Sequence, residues 1–342
     1  MKRILISVAE PSGDRLGAEL VRALRERGDV EFFGLAGPRL RSEGVTALAR
    51  MEDVAAMGLI EVLGQLKTIH GVRNTLLKAL DEKPDAVIVI DAPDLHTPLA
   101  RAAKDRDILT IGYVSPQVWA WRPGRVQSIS SALDQLLCLF AFEPELYPTL
   151  ETHWVGHPVV DRLPARVRTD PLLFGLTPGS RRQETDRLLP IFIEAAAHIK
   201  SSVEGARFCL VSPVDNLEHP DWIDRADSVE ALASARAVLT KSGTITLELA
   251  VMGVPQVVAH KVHPLTHWLG RRMIQGISHI AMPNILANAE VVPEFIQDLK
   301  PSQLADAVCS LPAQQGVDLS ALGASGASKR AAEHVWAALG AA

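Results

Sequence analysis

The sequence has few cysteines, no long apolar run and no excess of basic residues. Its cysteines, Cys138, Cys209 and Cys309, lie far apart without a C-x-x-C pair, so we expect free thiols in a reducing compartment. Glu10 ends the first apolar run early, which argues against a signal peptide, and no run approaches the roughly 18–20 residues of a membrane-spanning helix. The net charge of −5 disfavours a nucleic-acid partner. We therefore expect a cytoplasmic protein that at most contacts a membrane surface.

What the 342 residues do contain is a repeated alternation of apolar runs and helical patterns. Hydrophobic residues make up 47% and charged residues 22%, as is typical of a folded protein. Runs such as RILISVA, DAVIVIDA, RFCLVSP and PQVVAH are separated by leucine-rich stripes with a period of 3.6 residues. Continuously apolar strands that alternate with helices indicate parallel sheets covered on both faces. The sequence therefore predicts an α/β protein with two doubly wound, Rossmann-like halves.

The proline-bounded, charged segment PVVDRLPARVRTDP separates the two halves. We predict a first domain over residues 1–160, a linker over 161–170 and a second domain over 171–342 that includes a C-terminal helix. Ligands of open α/β folds bind at the carboxyl ends of the strands. Candidate sites are therefore sought in the turns that lead from a strand into a helix.

One such turn in the second half is Lys241-Ser242-Gly243-Thr244. Ser242 is a good helix N-cap, and glycine lets a ligand approach the backbone closely. Free N–H groups and the helix dipole favour an anion such as phosphate. Glu248 shares a helix face with Thr244, which would suit a ribose beside a diphosphate. An ordinary capped helix with a solvated Glu248 fits this segment equally well.

A second turn, Pro178-Gly179-Ser180-Arg181, follows the strand LLFGL. The Arg181 guanidinium can bind phosphate through two hydrogen bonds. Two such turns in one half favour a nucleotide diphosphate. Neither turn matches G-x-x-x-x-G-K-[ST] or G-x-G-x-x-G, which disfavours a P-loop or a dinucleotide site.

In the first half, carboxylates follow the apolar strands. Asp91 ends the run VIVI and is followed by Asp94, and a carboxylate at this position suits a general base. On this evidence alone we favour a simpler interpretation, in which Asp91 caps the next helix or binds loop amides. Asp14, after the first strand, is likewise interpreted as a cap of its own helix.

No cluster of His, Cys or Asp has the spacing of metal ligands, so no metal site is predicted. The segments MGLIEVLGQL and YVSPQVWAWRPGR are apolar, and the second carries Arg122 and Arg125. Core packing is the default interpretation of both. Exposed apolar surface beside these arginines would instead suit an acyl-chain substrate near an anionic membrane.

Several longer motifs resemble the lipid-A-disaccharide synthase family. They occur in the order and at close to the spacing of that family, up to about residue 295: AEPSGDRLGA, GLAGPRL, MGLIEVLG, IDAPDLH, YVSPQVWAWR, VGHP, PGSR, SGTITLE and MPNILA. The resemblance implies a GT-B fold with an interdomain cleft. It also implies inverting transfer of 2,3-diacylglucosamine from UDP to 2,3-diacylglucosamine 1-phosphate (lipid X), which gives lipid A disaccharide 1-phosphate and UDP.

The resemblance further implies a peripheral enzyme on the inner face of the inner membrane that needs no metal or other cofactor. Some members exchange C-terminal segments between two subunits, so a homodimer is an open expectation. Asp91 matches the candidate base of the family, and Asp94 is the alternative. The matched UDP-binding positions are Arg181, Ser242, Gly243, Thr244, Glu248 and Asn284. The expected acceptor or sugar contacts are Ser12, Gly13, Asp14 and Arg122.

The sequence departs from the family pattern at three places. Pro11 stands where a small residue is usual, and His96 stands where asparagine is common. The segment 213–227 is shorter than expected, as if a helix were missing. Rival functions are a UDP-N-acetylglucosamine 2-epimerase-like enzyme, a MurG-like transferase with a polyprenyl acceptor, and a nucleotide-sugar binding protein without catalytic activity.

Overall fold

A computed structural model describes residues 1–55, 62–119, 123–164, 168–262 and 279–341. The chain forms two compact units, one made of Met1–Asp161 with Ala321–Ala342 and the other of Arg162–Ser320. Each unit contains a parallel sheet with helices packed on it. The predicted α/β architecture with two doubly wound halves is confirmed.

The sheet of the first unit is parallel throughout and has the strand order β3-β2-β1-β4-β5-β6-β7. Its central strands are almost wholly apolar and buried, because helices cover both faces. The strands are β1 (Lys2–Val8), β2 (Val30–Ala36), β3 (Thr46–Arg50), β4 (Ala86–Ile90), β5 (Leu109–Tyr113), β6 (Gln135–Cys138) and β7 (Glu151–Trp154).

Several helices of the first unit begin with a proline, whose fixed φ and missing N–H suit the first helical position. Pro11, the residue that departs from the family pattern, is one of these. The helices are α1 (Pro11–Arg25), α2 (Pro38–Ser42), α3 (Glu52–Ala55), α4 (Val62–Ala79), α5 (Pro93–Lys104) and α6 (Val126–Ser130). A short helix, α7 (Val159–Arg162), follows at the end of the first unit, and its last residue already belongs to the second. The predicted linker therefore starts inside a short helix, α7.

The sheet of the second unit has the strand order β10-β9-β8-β11-β12-β13 and is also parallel. Its strands are β8 (Asp170–Thr177), β9 (Arg207–Val211), β10 (Ile223–Ala226), β11 (Ala235–Lys241), β12 (Gln256–His260) and β13 (Glu294–Ile296). Its helices are α8 (Arg182–Ser202), α9 (Thr244–Met252), α10 (Met282–Ala287) and α11 (Pro301–Ser310). Residues 212–222 join β9 to β10 without a helix, as the short segment in the sequence suggested.

Both sheets reverse their strand order at a central pair, β1 with β4 and β8 with β11. Such a topological switch point opens a crevice at the carboxyl edge of the sheet, where ligands of this fold class bind. In the first unit, α1 lies close to this point because two glycines face Ile90. A Cβ on Gly13 would lie 3.4 Å from the Ile90 side chain, and a Cβ on Gly17 would lie 2.9 Å from it.

The last helix, α12 (Ala327–Ala341), corrects one sequence prediction. It belongs to the first unit, although the sequence assigned it to the second domain. It packs against α1, and Trp336 lies so close to Gly28 that a Cβ there would be 2.5 Å from the indole. Arg27 and Glu333 form an ion pair with an N–O distance of 2.6 Å. An amphipathic pattern predicts such a helix but does not specify which surface it covers.

Candidate active site

The turn after β4 has a strained backbone. Asp91 and Ala92 have positive φ angles of 52° and 45°, and Val114, after the neighbouring β5, has a φ of 75°. The left-handed region costs a non-glycine residue about 1–2 kcal/mol, and it is least suited to a β-branched side chain. Strain of this kind is concentrated at functional sites, where the surrounding structure maintains it. The carboxyl edge of β4 and β5 is therefore the candidate catalytic site.

Asp91 has the protonation behaviour of a general base. Its side chain is half-buried. Burial raises the pKa of the Asp91 carboxyl to about 6, the Glu10 carboxylate adds to the rise, and a hydrogen bond from the Ala92 amide opposes it. Asp91 is thus ionised at neutral pH and binds a proton more strongly than an exposed aspartate. A base is most effective when its pKa lies near the working pH.

Asp94, the alternative base, has a different environment. It lies in the first turn of α5, its side chain is exposed, and Arg125 donates a hydrogen bond to it at 2.5 Å. Asp94 is therefore a solvent-exposed partner of an ion pair, whereas Asp91 lies on the strained turn directly after β4. The structure therefore favours Asp91 over Asp94.

Glu143 is a buried carboxylate that the sequence analysis missed. One of its oxygens accepts hydrogen bonds from the amides of Leu139 and Phe140 at 2.9 and 3.0 Å. Burial raises the pKa of Glu143 to about 7, although those two amides and Trp119 favour its ionised form, and the charge of Asp91 adds a smaller rise. The sequence pattern that could have identified Glu143 is its position as the acidic residue directly after the apolar run LLCLFAF.

The residues predicted to contact the acceptor or the sugar lie in different environments. Ser12 is exposed beside Glu10, whereas Gly13 is buried against β4. Asp14 is 1% exposed, and its carboxylate accepts hydrogen bonds from the amides of Arg39 and Leu40 at 2.9 and 3.1 Å. Asp14 thus caps α2 rather than its own helix α1, and the structure leaves it no surface for a sugar. Arg122 lies outside the described residues.

In the second unit, the turn after β8 presents an exposed arginine. Gly179 has a φ of 131°, which other residues rarely adopt, and Arg181 follows at the start of α8 with an exposed side chain. Glu184, one turn into α8, accepts a hydrogen bond from the Ser180 amide at 3.2 Å and pairs with Lys241 at 2.9 Å. This ion pair joins the turn to the one that follows β11.

The turn after β11 is open to a ligand. Gly243 (φ 147°) is the N-cap of α9 and has no side chain with which to cap it. Thr244 is exposed at its first position. The sequence predicted that Ser242 would cap α9, but Ser242 is buried and its hydroxyl lies 2.6 Å from Nδ1 of His260. N–H groups at the start of a helix, together with the positive end of the helix dipole, suit an anion.

Glu248 lies one turn beyond Thr244, as the i,i+4 spacing required. It is buried, and an oxygen of its carboxylate accepts a hydrogen bond from Arg162 at 2.6 Å. The solvated Glu248 of the simpler interpretation is therefore not observed. Arg162 was not recognised in the sequence, since it lies 86 positions away in the predicted linker.

Asn284 does not lie at a ligand-accessible surface, which corrects its assignment to UDP binding. It is fully buried, and its oxygen accepts from the amides of Val291 and Val292 at 2.8 Å. Its nitrogen donates to the Val292 carbonyl and to Glu294, also at 2.8 Å. Because all four hydrogen-bonding positions are used, Asn284 supports the loop after α10.

Across the described parts of the chain, no group of three or more His, Cys, Asp or Glu side chains could hold a metal ion. No described helix is both long and apolar enough to cross a bilayer.

Comparison with known proteins identifies close relatives. Residues 4–316 match a family model described as lipid-A-disaccharide synthetase. The chain is 38% identical over 322 residues to the lipid-A-disaccharide synthase of Geobacter sulfurreducens, covering 86% of this chain and 84% of the relative. It is also 38% identical over 327 residues to that of Pseudomonas putida, covering 88% and 86%.

Solved structures share the fold at low sequence identity. A calicheamicin glycosyltransferase aligns with a TM-score of 0.64 and 17% identity, covering 99% of this chain and 98% of that one. The UDP-GlcNAc 2-epimerase of Neisseria meningitidis, bound to UDP-GlcNAc, aligns with a TM-score of 0.63 and 12% identity, covering 98% and 100%. These structures bear out the GT-B fold, and at such identities they carry no further conclusion.

Proposed function

Since this chain belongs to the lipid-A-disaccharide synthase family, we propose that it transfers 2,3-diacylglucosamine from UDP to 2,3-diacylglucosamine 1-phosphate. The products are lipid A disaccharide 1-phosphate and UDP. The observation that carries the catalytic assignment is the strained, half-buried Asp91 at the β1/β4 switch point.

In this proposal Asp91 acts as the general base of a single displacement. The primary hydroxyl oxygen of the acceptor attacks the anomeric carbon of the donor, and its proton passes to the Asp91 carboxylate. The bond from the anomeric carbon to the diphosphate oxygen breaks, and UDP leaves with the bonding electrons. One displacement inverts the configuration at the anomeric carbon.

We assign the binding of UDP to the two turns of the second unit. Arg181 and the N–H groups at the start of α9 would stabilise the charge that develops on the leaving diphosphate. Thr244 is exposed at the same helix end, and Glu248 would accept from ribose hydroxyls beside Arg162. Removing one group that stabilises a developing charge typically costs about 10²–10³ in rate.

The deciding experiment is incubation of the protein with the two acylated glucosamine precursors. We expect UDP release that depends on the acceptor, together with a disaccharide product. An epimerase, which the fold similarity raises as a second candidate, would instead release a sugar isomer when no acceptor is present. Transfer to a polyprenyl carrier but not to the acylated acceptor would contradict the proposed substrate.

We also propose that the protein works at the inner face of the inner membrane as a peripheral enzyme, because both proposed substrates carry acyl chains. Co-sedimentation with vesicles of phosphatidylethanolamine and phosphatidylglycerol tests this, and full recovery in the supernatant would contradict it. A homodimer stays a proposal from the family resemblance, and light scattering in detergent measures it.

A further inference from the structure

His96 joins the ends of the two strands that flank the switch point of the first sheet. Its Nε2 lies 2.9 Å from the hydroxyl of Ser7 in β1, and its Nδ1 lies 2.6 Å from the carbonyl oxygen of Asp91. Ser7 is fully buried and His96 is 1% exposed. The imidazole is thus a buried bridge from one central strand to the backbone of the candidate base.

The chemistry of the partners sets the direction of both hydrogen bonds. A backbone carbonyl can only accept, so Nδ1 of His96 must carry the proton. The unprotonated Nε2 then accepts the hydrogen bond that the Ser7 hydroxyl donates. Burial lowers the pKa of His96 to about 4, so the ring stays neutral and keeps this tautomer at neutral pH.

The bridge holds a residue whose backbone is strained. Asp91 has a positive φ, and the next residue, Ala92, has one too. A hydrogen bond to the Asp91 carbonyl restrains the peptide plane, and with it the direction in which the carboxylate leaves the backbone. A small cavity of about 20 Å³, lined by His96 and Asp91 among others, lies at the same place.

We propose that His96 is a positioning residue, which holds the Asp91 carboxylate in its reactive direction through the Asp91 carbonyl. The inference rests on the proposed role of Asp91 as the base. His96 does not touch the substrate and transfers no proton in the reaction. A misplacement of about 1 Å can cost about 100-fold in rate, which sets the size of the expected effect.

Two substitutions separate the halves of the bridge. In His96→Asn, the amide nitrogen stands near the place of Nδ1 and can still donate to the Asp91 carbonyl. In His96→Gln, the longer side chain places its polar group near the place of Nε2. It therefore keeps the hydrogen bond with Ser7 and loses the one with the Asp91 carbonyl. We expect kcat to fall about 100-fold in His96→Gln and less than about tenfold in His96→Asn.

The control is Leu99→Ala, in a buried residue of the same helix that takes no part in the bridge. It lowers the melting temperature without touching the bridge, so well below that temperature its kcat stays near the wild-type value. The affinity for UDP, measured by calorimetry, stays unchanged in all three variants. Equal kcat values in His96→Asn and His96→Gln, or a matching loss in Leu99→Ala, would show that His96 only stabilises the fold.

A second measurement separates this inference from the proposed function. Nitrogen-15 NMR on histidine-labelled protein, assigned with His96→Asn, reports the tautomer without any turnover. We expect Nδ1–H on a neutral ring from pH 8 down to about pH 5. An Nε2–H tautomer or a charged ring would overturn the bridge itself. If the bridge is present but Asp91→Ala retains turnover, the base assignment fails, and positioning by His96 fails with it.

Discussion

The two switch points have the same strand order but opposite chemistry. In the first unit, two carboxyl groups are partly or fully buried near the carboxyl edge of the sheet, and one of them, Asp91, lies on a strained backbone. The pKa values of Asp91 and Glu143 rise to about 6 and about 7. In the second, Gly179 and Gly243 adopt the positive φ angles, and the polar groups are exposed or paired. Desolvation tunes a proton acceptor, whereas open amides and cations suit a polyanion. In the proposed function, one topology thus serves two tasks through the side chains at its strand ends.

The strongest test of this contrast is Asp91→Ala. We expect turnover to fall below detection, by at least about 10³-fold, while UDP affinity stays near the wild-type value, because the base belongs to the first unit only. Product formation and calorimetric UDP titration measure the two quantities. Asp94→Asn is the matched control, since this nearby carboxylate is exposed and paired with Arg125. Loss of UDP affinity in Asp91→Ala would mean that the roles are wrongly divided.

Arg181→Ala tests the other half of the contrast. A charge-assisted hydrogen bond contributes about 1.5–3 kcal/mol, so the Kd for UDP should rise by about tenfold to a hundredfold. Arg182→Ala is the control, because this neighbouring arginine pairs with Asp186 on the exposed face of α8. Equal effects in the two variants would indicate a general charge effect instead of a site at Arg181.

The pH dependence of kcat/KM sharpens the assignment of the base. Because Asp91 accepts a proton only when ionised, activity should fall below about pH 6 and lie about tenfold under the plateau at pH 5. Glu10→Gln removes a charge that raises this pKa, so the acid limb should move to lower pH. A profile that stays flat to pH 5, or an unchanged limb in Glu10→Gln, would count against Asp91.

Removing the charge of Asp91 and removing that of Glu184 should change the melting temperature in opposite directions. Asp91 is ionised at pH 7.5 against the cost of burial, so Asp91→Asn should raise the melting temperature there. This gain should shrink at pH 4.5, below the raised pKa of about 6, because the folded Asp91 is then mostly neutral. Each 1 kcal/mol corresponds to about 2–4 °C for domains of this size.

Glu184→Gln should do the reverse. Burial alone would raise the pKa of Glu184, but Lys241 and the Ser180 amide lower it overall, so its charge stabilises the fold. The variant should melt at a lower temperature at pH 7.5 and still do so at pH 4.5, since a lowered pKa keeps Glu184 ionised there. Calorimetry at the two pH values measures both variants, and shifts of the same sign would contradict the contrast.

The edge strands show where sequence patterns lose their predictive value. The central strands were predicted because apolar residues occupy both faces, as in the fully buried AVIVI of β4. Three strands at sheet edges, β3, β10 and β13, were missed because their side chains are largely exposed or half-buried. A short strand with one open edge has no continuous apolar run, and its pairing depends on a neighbour distant in the chain.

The local sequence pattern was enough to predict the parallel sheets, the glycine turns after β8 and β11, and a carboxylate at the end of β4. These features depend on strand burial and backbone conformation, which are determined over a few residues. Partners that are distant in the chain could not be predicted in this way. They include Arg162 as the partner of Glu248 and His260 as the partner of Ser242. They also include the capping of α2 by Asp14 and the packing of α12 in the first unit. The same holds for the pKa of Asp91, the proposed base. A carboxyl group acquires its pKa from everything that excludes water around it, and that environment exists only after distant segments have packed together.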